Sequence, residues 1–295
     1  MSVQRTSKGI ILAAGAGTRL YPATLPISKI LLPVYDRPMV YCPLFTLMSA
    51  GIRDILVITS ESDRPNFERT LRDGSQFGVR ITYEVQRVQR GISDAFIIGE
   101  RFIGGDPCVL ILGDNIFCGD DMARLMEKAA EDTTHASVFA RRVEDPQRFG
   151  VAEFDSEGNV ISLEEKPKEP KSDYAVVGLY FLPGDVSEKA KALKPSKRGE
   201  LEITDLNRMY LEEGRLRVKI MDDGTMWKDA GTFDSLLETA EFIRDEEKRL
   251  GTNVLCPESE ALRRGYVTKE RLKAWAEPLN KSDYFKAVME LVGKE

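Results

Sequence analysis

The sequence is poor in the residues that several large enzyme classes depend on. It has a single histidine, His135, among 295 residues, so a Ser-His-Asp triad or a histidine-rich metal site is nearly excluded. Its four cysteines lie far apart and form no C-x-x-C pair, which argues against a zinc knuckle or a disulfide framework. We therefore expect buried or half-buried thiols at Cys42, Cys108, Cys118 and Cys256.

Long apolar runs and an excess of positive charge are also missing. No segment approaches the roughly 20 apolar residues of a membrane span, and no leader precedes the first apolar run, so we expect a cytoplasmic protein. The net charge of -6 provides no basic surface for nucleic acid or for an anionic membrane. We expect neither as a partner, and any anionic ligand must meet locally placed cations.

Short apolar runs alternate with amphipathic segments through the first half of the chain. The alternation predicts a parallel sheet with helices on both faces and ligands at the carboxyl ends of its strands. The predicted strands are 9–14, 54–60, 79–85 and 108–114, and the predicted helices are 38–51, 64–74, 92–104 and 120–132.

The pattern changes after residue 149. Alternating residues around a Ser-Glu-Gly-Asn turn predict an antiparallel hairpin, so we expect an α/β fold with a mixed, mostly parallel central sheet. Helices are predicted at 200–214 and 232–250, with strands at 216–222 and 225–231 between them. A helical tail follows, with weak helical segments at 257–264, 268–276 and 282–292.

A glycine-rich stretch, GAGTRL (15–20), follows the first predicted strand. Such turns commonly present backbone N–H groups to phosphate oxygens. A Walker A motif is absent, since Thr18 and Arg19 follow Gly17, and the dinucleotide fingerprint meets Leu20 where its third glycine should be.

Prolines decide how this segment continues. Pro22, Pro26 and Pro33 would each break a helix, so the segment must stay extended, which argues against a dinucleotide fold. It would then carry Arg19 and Lys29 along the mouth of the sheet, where two cations could grip a polyphosphate. An ordinary glycine-rich turn with solvated basic residues is the alternative at this point.

The stretch GAGTRL, followed by SKILLPVYDRPMVYCPL, resembles the L-x-x-G-x-G-T-R-L and K-x-L-x-P-V signature of the sugar-1-phosphate nucleotidylyltransferases. Further blocks are similar to the glucose-1-phosphate thymidylyltransferases of that family. They occur in the same order between residues 9 and about 266, and they are DGSQFG, ILGDNIF, RFGVAEFD, SLEEKP, DYAVVGLYF, RGELEITDLNR, WKDAGTFDSLLE and CPE.

The resemblance implies a magnesium-dependent transfer of a nucleoside monophosphate from dTTP to glucose 1-phosphate, giving dTDP-glucose and pyrophosphate. It implies a nucleotidyltransferase domain over 1–250, divided into a nucleotide-binding part (about 1–145) and a sugar-phosphate-binding part (about 146–250), and a helical extension over 251–295. It also implies a homotetramer with a feedback site near Gly119 and the 256–266 segment. Because the attacking sugar phosphate is already an anion, the reaction needs no general base, which agrees with the single histidine.

Two aspartates are the predicted metal ligands. Asp114 ends the strand in LGDN and Asp229 ends the strand in MWKDAG, so both carboxylates could converge at one edge of the sheet. The resemblance makes them the magnesium ligands. Lys166 is similar to the lysine that holds the sugar phosphate, and Arg198 is a second candidate for that phosphate.

The resemblance assigns the remaining site residues. Gln86 would read the pyrimidine edge, because a side-chain amide offers one donor and one acceptor. The expected catalytic cations are Arg19, Lys29 and Lys166. The expected nucleotide-binding residues are Leu12, Gly15, Gly17, Thr18, Arg19, Lys29, Gln86 and Gly91. The expected sugar-phosphate-binding residues are Asn115, Gly150, Glu165, Lys166, Val177 and Arg198.

The chain departs from the family pattern around one pocket. Ala14 replaces a glycine, Ile30 and Asp94 each replace a glutamine, and Phe233 replaces a histidine. Two arginines stand in the 87–90 loop, where relatives carry proline and aspartate. These differences leave the choice of nucleotide and sugar open. The alternatives are a uridylyl- or cytidylyltransferase for another sugar 1-phosphate, and a nucleotide-sugar-binding regulatory protein with little turnover.

Overall fold

The computed structural model describes residues 5–222 and 224–293. Its strands are β1 (Lys8–Ala13), β2 (Pro33–Val34), β3 (Arg37–Pro38), β4 (Asp54–Thr59), β5 (Arg80–Val85), β6 (Cys108–Leu112), β7 (Asn115–Cys118), β8 (Ala136–Arg142), β9 (Gly150–Phe154), β10 (Val160–Glu165), β11 (Tyr174–Leu182), β12 (Leu216–Ile220) and β13 (Met226–Asp229). Its helices are α1 (Tyr41–Ser49), α2 (Arg64–Leu71), α3 (Asp94–Ile98), α4 (Glu100–Ile103), α5 (Asp120–Glu131), α6 (Val186–Ala192), α7 (Ile203–Glu212), α8 (Phe233–Leu250), α9 (Pro257–Arg263), α10 (Lys269–Ala276) and α11 (Asp283–Gly293).

The central sheet has nine strands and is mixed, which confirms the predicted fold class. Strands β5, β4, β1 and β6 are parallel neighbours in that order. Strand direction reverses between β6 and β11, which pair antiparallel with Leu179 opposite Ile111. Strand β11 also pairs with β9 and β8, and β9 pairs with β10 to form the predicted hairpin.

Helices cover both faces of the sheet because successive side chains of each strand point to opposite sides. In β1, Ile11 packs in the apolar cluster beneath α1, α2 and α5, whereas Ile10 packs in the cluster beneath α3, α6 and α7. Both side chains are completely buried. Apolar residues on both faces are typical of a strand buried between two helical layers.

The predicted elements of the first half begin and end within a few residues of the observed ones, with one difference. The helix predicted over 92–104 is divided at Gly99 into α3 and α4. A Cβ at Gly99 would lie 3.0 Å from the Ala95 carbonyl oxygen and 3.1 Å from Leu56. The helix therefore approaches the sheet at a residue that favours the helical state only weakly. No prediction covered β7, β11 or α6.

The three helices after Gly251 pack against one another, and α9 also packs against α1. Arg37 lies fully buried at this junction, and its Nε donates to Asp36 at 2.7 Å. Its other nitrogens donate to Glu247 and to the Val254 carbonyl oxygen, and its guanidinium lies 4.9 Å from the centre of the Tyr284 ring. We name this set, Asp36, Arg37, Glu247, Val254 and Tyr284, the tail junction. The division of the chain at residue 250 remains a prediction.

No helix within residues 5–222 and 224–293 combines the length and the apolar character that a membrane crossing requires.

Candidate active site

The glycine-rich stretch leaves β1 as a tight turn. Gly17 has φ 61, where a Cβ would lie 3.2 Å from Thr24, and the Thr24 hydroxyl donates to the Gly17 carbonyl oxygen at 2.8 Å. A short 3-10 turn at Thr18–Leu20 follows, and a second covers Lys29–Leu31. No α-helix lies in the described segment between β1 and β2, as the prolines predicted. Ser28 caps the second turn by accepting from the Ile30 N–H at 3.3 Å.

The structure brings the two predicted metal ligands together. Asp114 follows β6 directly, and strand pairing of β13 with β7 sets Asp229 opposite Asn115. The Ala230 N–H donates to the Asp114 carbonyl oxygen at 2.9 Å, which ties the two segments at this point. Segments that are more than a hundred residues apart in sequence thus present carboxylates to one crevice.

The two carboxylates differ in electrostatic surroundings. Burial and the negative charge of Asp114 raise the pKa of Asp229 to about 6. Burial also opposes ionisation of Asp114, but an ion pair with Lys29 and a hydrogen bond from Asn115 outweigh it and hold the pKa of Asp114 below its usual value. Two neighbouring carboxylates that repel each other favour a cation between them.

This donor set fits a hard divalent cation. Magnesium in proteins is commonly held by one or two carboxylates, with water and substrate phosphates completing the shell. The described residues contain no cluster of three or more histidine, cysteine, aspartate or glutamate side chains suited to a metal. Asp114 and Asp229 would therefore leave several positions to phosphate oxygens and water.

A cavity of about 440 Å³ opens beside the two aspartates. It contains four of the predicted sugar-phosphate-binding residues, Asn115, Gly150, Glu165 and Lys166. The full lining is Arg19, Ile92, Leu112, Asp114, Asn115, Arg148, Phe149, Gly150, Glu165, Lys166, Val176, Gly178, Tyr180, Ile203, Thr204, Asn207, Trp227 and Asp229.

Lys166 sits in this cavity in a backbone conformation that few side chains adopt. Its φ is 45, and its N–H donates to the Phe149 carbonyl oxygen at 2.9 Å. Its ammonium lies 3.7 Å from Glu165 and is half-exposed. Positive φ at a residue other than glycine is uncommon and concentrates at functional sites. The lysine is therefore available to an anion in the cavity.

Asn115 connects Asp114 to two other segments of the site. Its Oδ1 accepts from the Gly178 N–H at 3.0 Å and from Trp227 Nε1 at 2.8 Å, while its Nδ2 donates to Asp114 at 3.1 Å. Its acceptor is thus occupied and its amide orients a predicted metal ligand. A direct contact of Asn115 with the sugar stays a prediction.

Two predicted sugar-side residues lie at the margin of the cavity. Arg198 is not among its lining residues, and its guanidinium pairs with Glu165 at 3.2 Å and Glu202 at 2.7 Å. Val177 is completely buried in the apolar core, so only its backbone could reach a substrate. Their roles in binding remain predictions.

Sequence reasoning missed several residues of this cavity, Arg148, Tyr180, Thr204 and Trp227 among them. Arg148 is a further cation whose charge acts to lower the pKa of Asp229. Its block, RFGVAEFD, indicates the family but gives no separate signal for Arg148. The alternation of β9 could have indicated which side chains share a face, but only the pairing with β10 and β11 shows what that face lines.

A second cavity, of about 490 Å³, lies on the other side of the glycine-rich turn. It is lined by Ala14, Ser60, Glu61, Ser62, Gln86, Arg87 and Gln89. Gln86 therefore faces a cavity, and its role in reading a base stays a prediction. Gly91 has φ +97, and a Cβ there would lie 2.6 Å from the Leu201 carbonyl oxygen. We name the two spaces the sugar-side cavity and the base-side cavity.

The departures from the family pattern lie in different surroundings. Ile30 lines neither cavity; its side chain is buried against Gly113, the residue before Asp114. Asp94 is buried and accepts from Gln86 and Arg90. Phe233 is half-exposed at the start of α8. Asp94 contacts Gln86, a predicted base-reading residue.

Comparison with known proteins gives a consistent result. A family model described as nucleotidyl transferase matches residues 8–246. The glucose-1-phosphate thymidylyltransferase of Neisseria gonorrhoeae is 53% identical over 287 residues, which is 97% of this chain and 100% of that protein. The enzyme of the same name from Mycobacterium tuberculosis (strain CDC 1551 / Oshkosh) is 51% identical over 285 residues, covering 97% of this chain and 99% of the relative.

Solved structures agree with the fold. A Bacillus anthracis protein assigned as a glucose-1-phosphate thymidylyltransferase, crystallised with a sucrose, matches with a TM-score of 0.75 and 45% identity over 81% of this chain and 95% of that one. A UDP-glucose pyrophosphorylase complexed with UDP-glucose matches with a TM-score of 0.72 and 25% identity, covering 82% of this chain and 99% of that chain.

Proposed function

We propose that this chain, which belongs to the glucose-1-phosphate thymidylyltransferase family of nucleotidyl transferases, transfers dTMP from dTTP to glucose 1-phosphate and releases pyrophosphate. One observation carries the proposal. The carboxylates of Asp114, which is buried, and Asp229, which is partly buried, lie beside the sugar-side cavity, with Arg19 and Lys29 toward the glycine-rich turn and Lys166 within the cavity. This arrangement suits the joining of two anionic substrates.

The proposed reaction is an in-line displacement. An oxygen of the sugar phosphate forms a bond to the α-phosphorus of dTTP, the bond from that phosphorus to the bridging oxygen of the β-phosphate breaks, and pyrophosphate leaves with the electron pair. Arg19 and Lys29 would hold the outer phosphates, and Lys166, aided by Arg198, would hold the sugar phosphate. Leu12, Gly15, Gly17, Thr18 and Gly91 would support the nucleotide through backbone groups and close packing.

We propose Mg²⁺ as the ion held by Asp114 and Asp229. When bound there, it would neutralise charge on the phosphates. Lys29 pairs with Asp114, so the lysine and the ion would share one carboxylate. A Lys29 that leaves this pair would be free to bind the outer phosphates.

A substrate matrix tests the proposal. Each of dTTP, UTP, CTP and ATP is combined with each of several sugar 1-phosphates, with and without Mg²⁺, and pyrophosphate release is measured. We expect the highest kcat/KM with dTTP and glucose 1-phosphate. A preference for UTP or CTP would support the uridylyl- or cytidylyltransferase alternative. No release from any pair would overturn the enzymatic proposal and favour a regulatory binding protein.

We also propose that the chain acts as a cytoplasmic homotetramer with a feedback site, as its resemblance to the family implies. A third cavity, of about 470 Å³, supports the second part, since it joins Gly119 to Ser259, Glu260 and Arg263 of α9. The oligomeric state is tested by light scattering on the eluting protein. A feedback site predicts that a dTDP-deoxysugar inhibits wild type and that Ala123→Trp, which adds bulk at a residue lining this cavity, relieves the inhibition.

A further inference from the structure

Asp94 is a buried carboxylate that stands between two residues of the base-side loop. Its residue is 1% exposed, in the first turn of α3. One oxygen accepts from Arg90 Nη2 at 2.6 Å, and the other accepts from Gln86 Nε2 at 3.0 Å. A carboxylate paired with arginine is ionised and can only accept hydrogen bonds. The amide of Gln86 must therefore turn its nitrogen toward Asp94.

This orientation uses the donors of Gln86 and leaves its acceptor available. The Gly91 carbonyl oxygen lies 3.4 Å from the same Nε2 and receives a second, weaker contact. Among residues 5–222 and 224–293, none donates a hydrogen bond to Oε1 of Gln86, and this oxygen is not among the buried polar atoms that lack a partner. Gln86 lines the base-side cavity, so Oε1 is the polar group that it offers to a ligand there.

The loop that carries this arrangement is held where it leaves β5, since the Gln86 N–H donates to the Thr59 carbonyl oxygen at 2.9 Å, and it is held again at residues 89 and 90. The Leu201 N–H donates to the Arg90 carbonyl oxygen at 2.6 Å, and Gln89 Nε2 donates to the Ala14 carbonyl oxygen at 3.1 Å. A fixed backbone keeps Gln86 and Asp94 in register before any ligand arrives. Groups that are oriented in advance discriminate better between ligands, because they do not rearrange to suit the wrong one.

Resting on the proposed function, we propose that Asp94, paired with Arg90, is a positioning residue that makes Gln86 a hydrogen-bond acceptor toward the base. The site would then select a pyrimidine whose ring N3 carries a hydrogen, as in thymine and uracil. Cytosine would turn its unprotonated N3 toward Oε1, which places two acceptors together. The choice of base would thus be set by a residue that never touches the base.

The test compares the preference for dTTP over CTP in wild type, in Asp94→Asn and in Asp94→Ala, which removes the acceptor for the Gln86 amide. An amide at position 94 can donate to Oε1 of Gln86 and so allows the Gln86 amide to turn over. We expect the ratio of dTTP to CTP affinity, measured by calorimetry without sugar phosphate, to fall about tenfold or more. In the reaction with glucose 1-phosphate, KM for dTTP should rise while kcat changes by less than about threefold.

The control is Glu100→Gln at the start of α4. It removes the same charge from an exposed ion pair between Glu100 and Lys191 of α6. It should leave the ratio unchanged. Because both nucleotides are measured on one sample, a fraction of misfolded protein cancels from the ratio. UTP should follow dTTP in every variant, since uracil presents the same ring N–H.

An unchanged ratio in both Asp94 variants, or a fall in kcat alone, would overturn the inference. Failure of the proposed function looks different: wild type would then release no pyrophosphate with any pair. A wild type that turns over dTTP but keeps its base preference after substitution of Asp94 rejects only the positioning role. Loss of binding preference in a protein without turnover would reject only the catalytic proposal.

Discussion

Buried charge occurs in two regions of this molecule, and the two regions handle it in opposite ways. At the tail junction the buried guanidinium of Arg37 is surrounded by acceptors, the carboxylates of Asp36 and Glu247 and a backbone carbonyl oxygen. In the crevice of the candidate active site, burial and the like charge of Asp114 together raise the pKa of Asp229 to about 6. At the tail junction the charge of Arg37 is neutralised by its partners, whereas in the crevice two carboxylates repel each other.

The difference separates a structural role from a binding role. A buried charge with all its partners in place holds segments together, and its removal leaves the partners unpaired. A buried charge that faces a like charge costs folding free energy, which a ligand of opposite sign can offset. Substitutions at the two places should therefore affect different properties, one stability and the other turnover.

The largest expected effect is on turnover. Asp114→Asn and Asp229→Asn should each lower kcat/KM by at least about 10³-fold, because each removes a negative ligand from the proposed metal site. Pyrophosphate release in the presence of Mg²⁺ measures this, and circular dichroism checks that the variants fold. Substantial activity in either variant would show that the substituted aspartate is not a metal ligand.

The next effect is on stability. Arg37→Met should lower the free energy of unfolding by about 3–5 kcal/mol, because two carboxylates and a carbonyl oxygen lose their partner in the interior. Denaturant unfolding measures the change. Arg124→Met, which removes an exposed arginine paired with Asp121 at 2.8 Å, should cost less than about 1 kcal/mol. Similar losses of unfolding free energy in Arg37→Met and Arg124→Met would show that the tail junction contributes no more to stability than an exposed ion pair.

A smaller effect of opposite sign is expected for Asp229→Asn without metal. The pKa of Asp229 is raised on folding from 3.8 to about 6, so its ionised form destabilises the fold once the pH exceeds this range. In EDTA the variant should be more stable than wild type by up to about 2 kcal/mol near pH 8, and this gain should vanish as the pH falls through 6 toward 4.

Melting temperatures across that pH range test the prediction. Asp173→Asn serves as the matched control, because Asp173 forms only an exposed pair with Arg142 at 3.3 Å. If Asp229→Asn increases stability equally at every pH, the substitution relieves something other than charge repulsion.

The smallest effect concerns access to the tail junction. Burial and the neighbouring Glu258 raise the pKa of the Cys256 thiol to about 12, so little thiolate forms near pH 8. A thiol reagent should leave Cys256 unmodified in native wild type, but modify it in Arg37→Met if the junction opens. Peptide mass analysis after brief labelling gives the answer, with protein unfolded in guanidinium as the reference. Equal labelling of Cys256 in native wild type and native Arg37→Met would show that Arg37 does not keep the tail junction closed.

The sequence allowed the first layer of the fold to be predicted because local signals suffice for it. The strands β1, β4 and β5 each begin at a charged residue, β6 lies between Pro107 and Gly113, and their observed limits agree closely with the predicted ones. Local signals also indicated that Asp114 and Asp229 each lie at a strand end. Their convergence depends on the antiparallel pairing of β13 with β7, which sets Asp229 opposite Asn115.

What escaped prediction depends on contacts between distant segments. Arg37 is charged and lies in a segment of turns and prolines, so nothing near it in sequence indicates full burial against residues 247 and 254. Asp94 is recognisable from sequence only as a departure from a family pattern, and its partnership with Gln86 requires the loop to be folded. Pairing of β13 with β7 likewise joins residues that no local pattern connects.

The reversal of strand direction between β6 and β11 bears on how such proteins can diverge. The loop that carries Gln86 lies on the parallel side of Asp114, and the hairpin that carries Lys166 lies on the antiparallel side. Descendants of one ancestor can therefore exchange nucleotides or sugars by altering different residues while inheriting the same reaction chemistry. The hydrogen bond from the Leu201 N–H to the Arg90 carbonyl oxygen joins the sugar side of the molecule to the loop that carries Gln86. A substitution that moves Leu201 to suit a new sugar would therefore also act on the loop proposed to read the base.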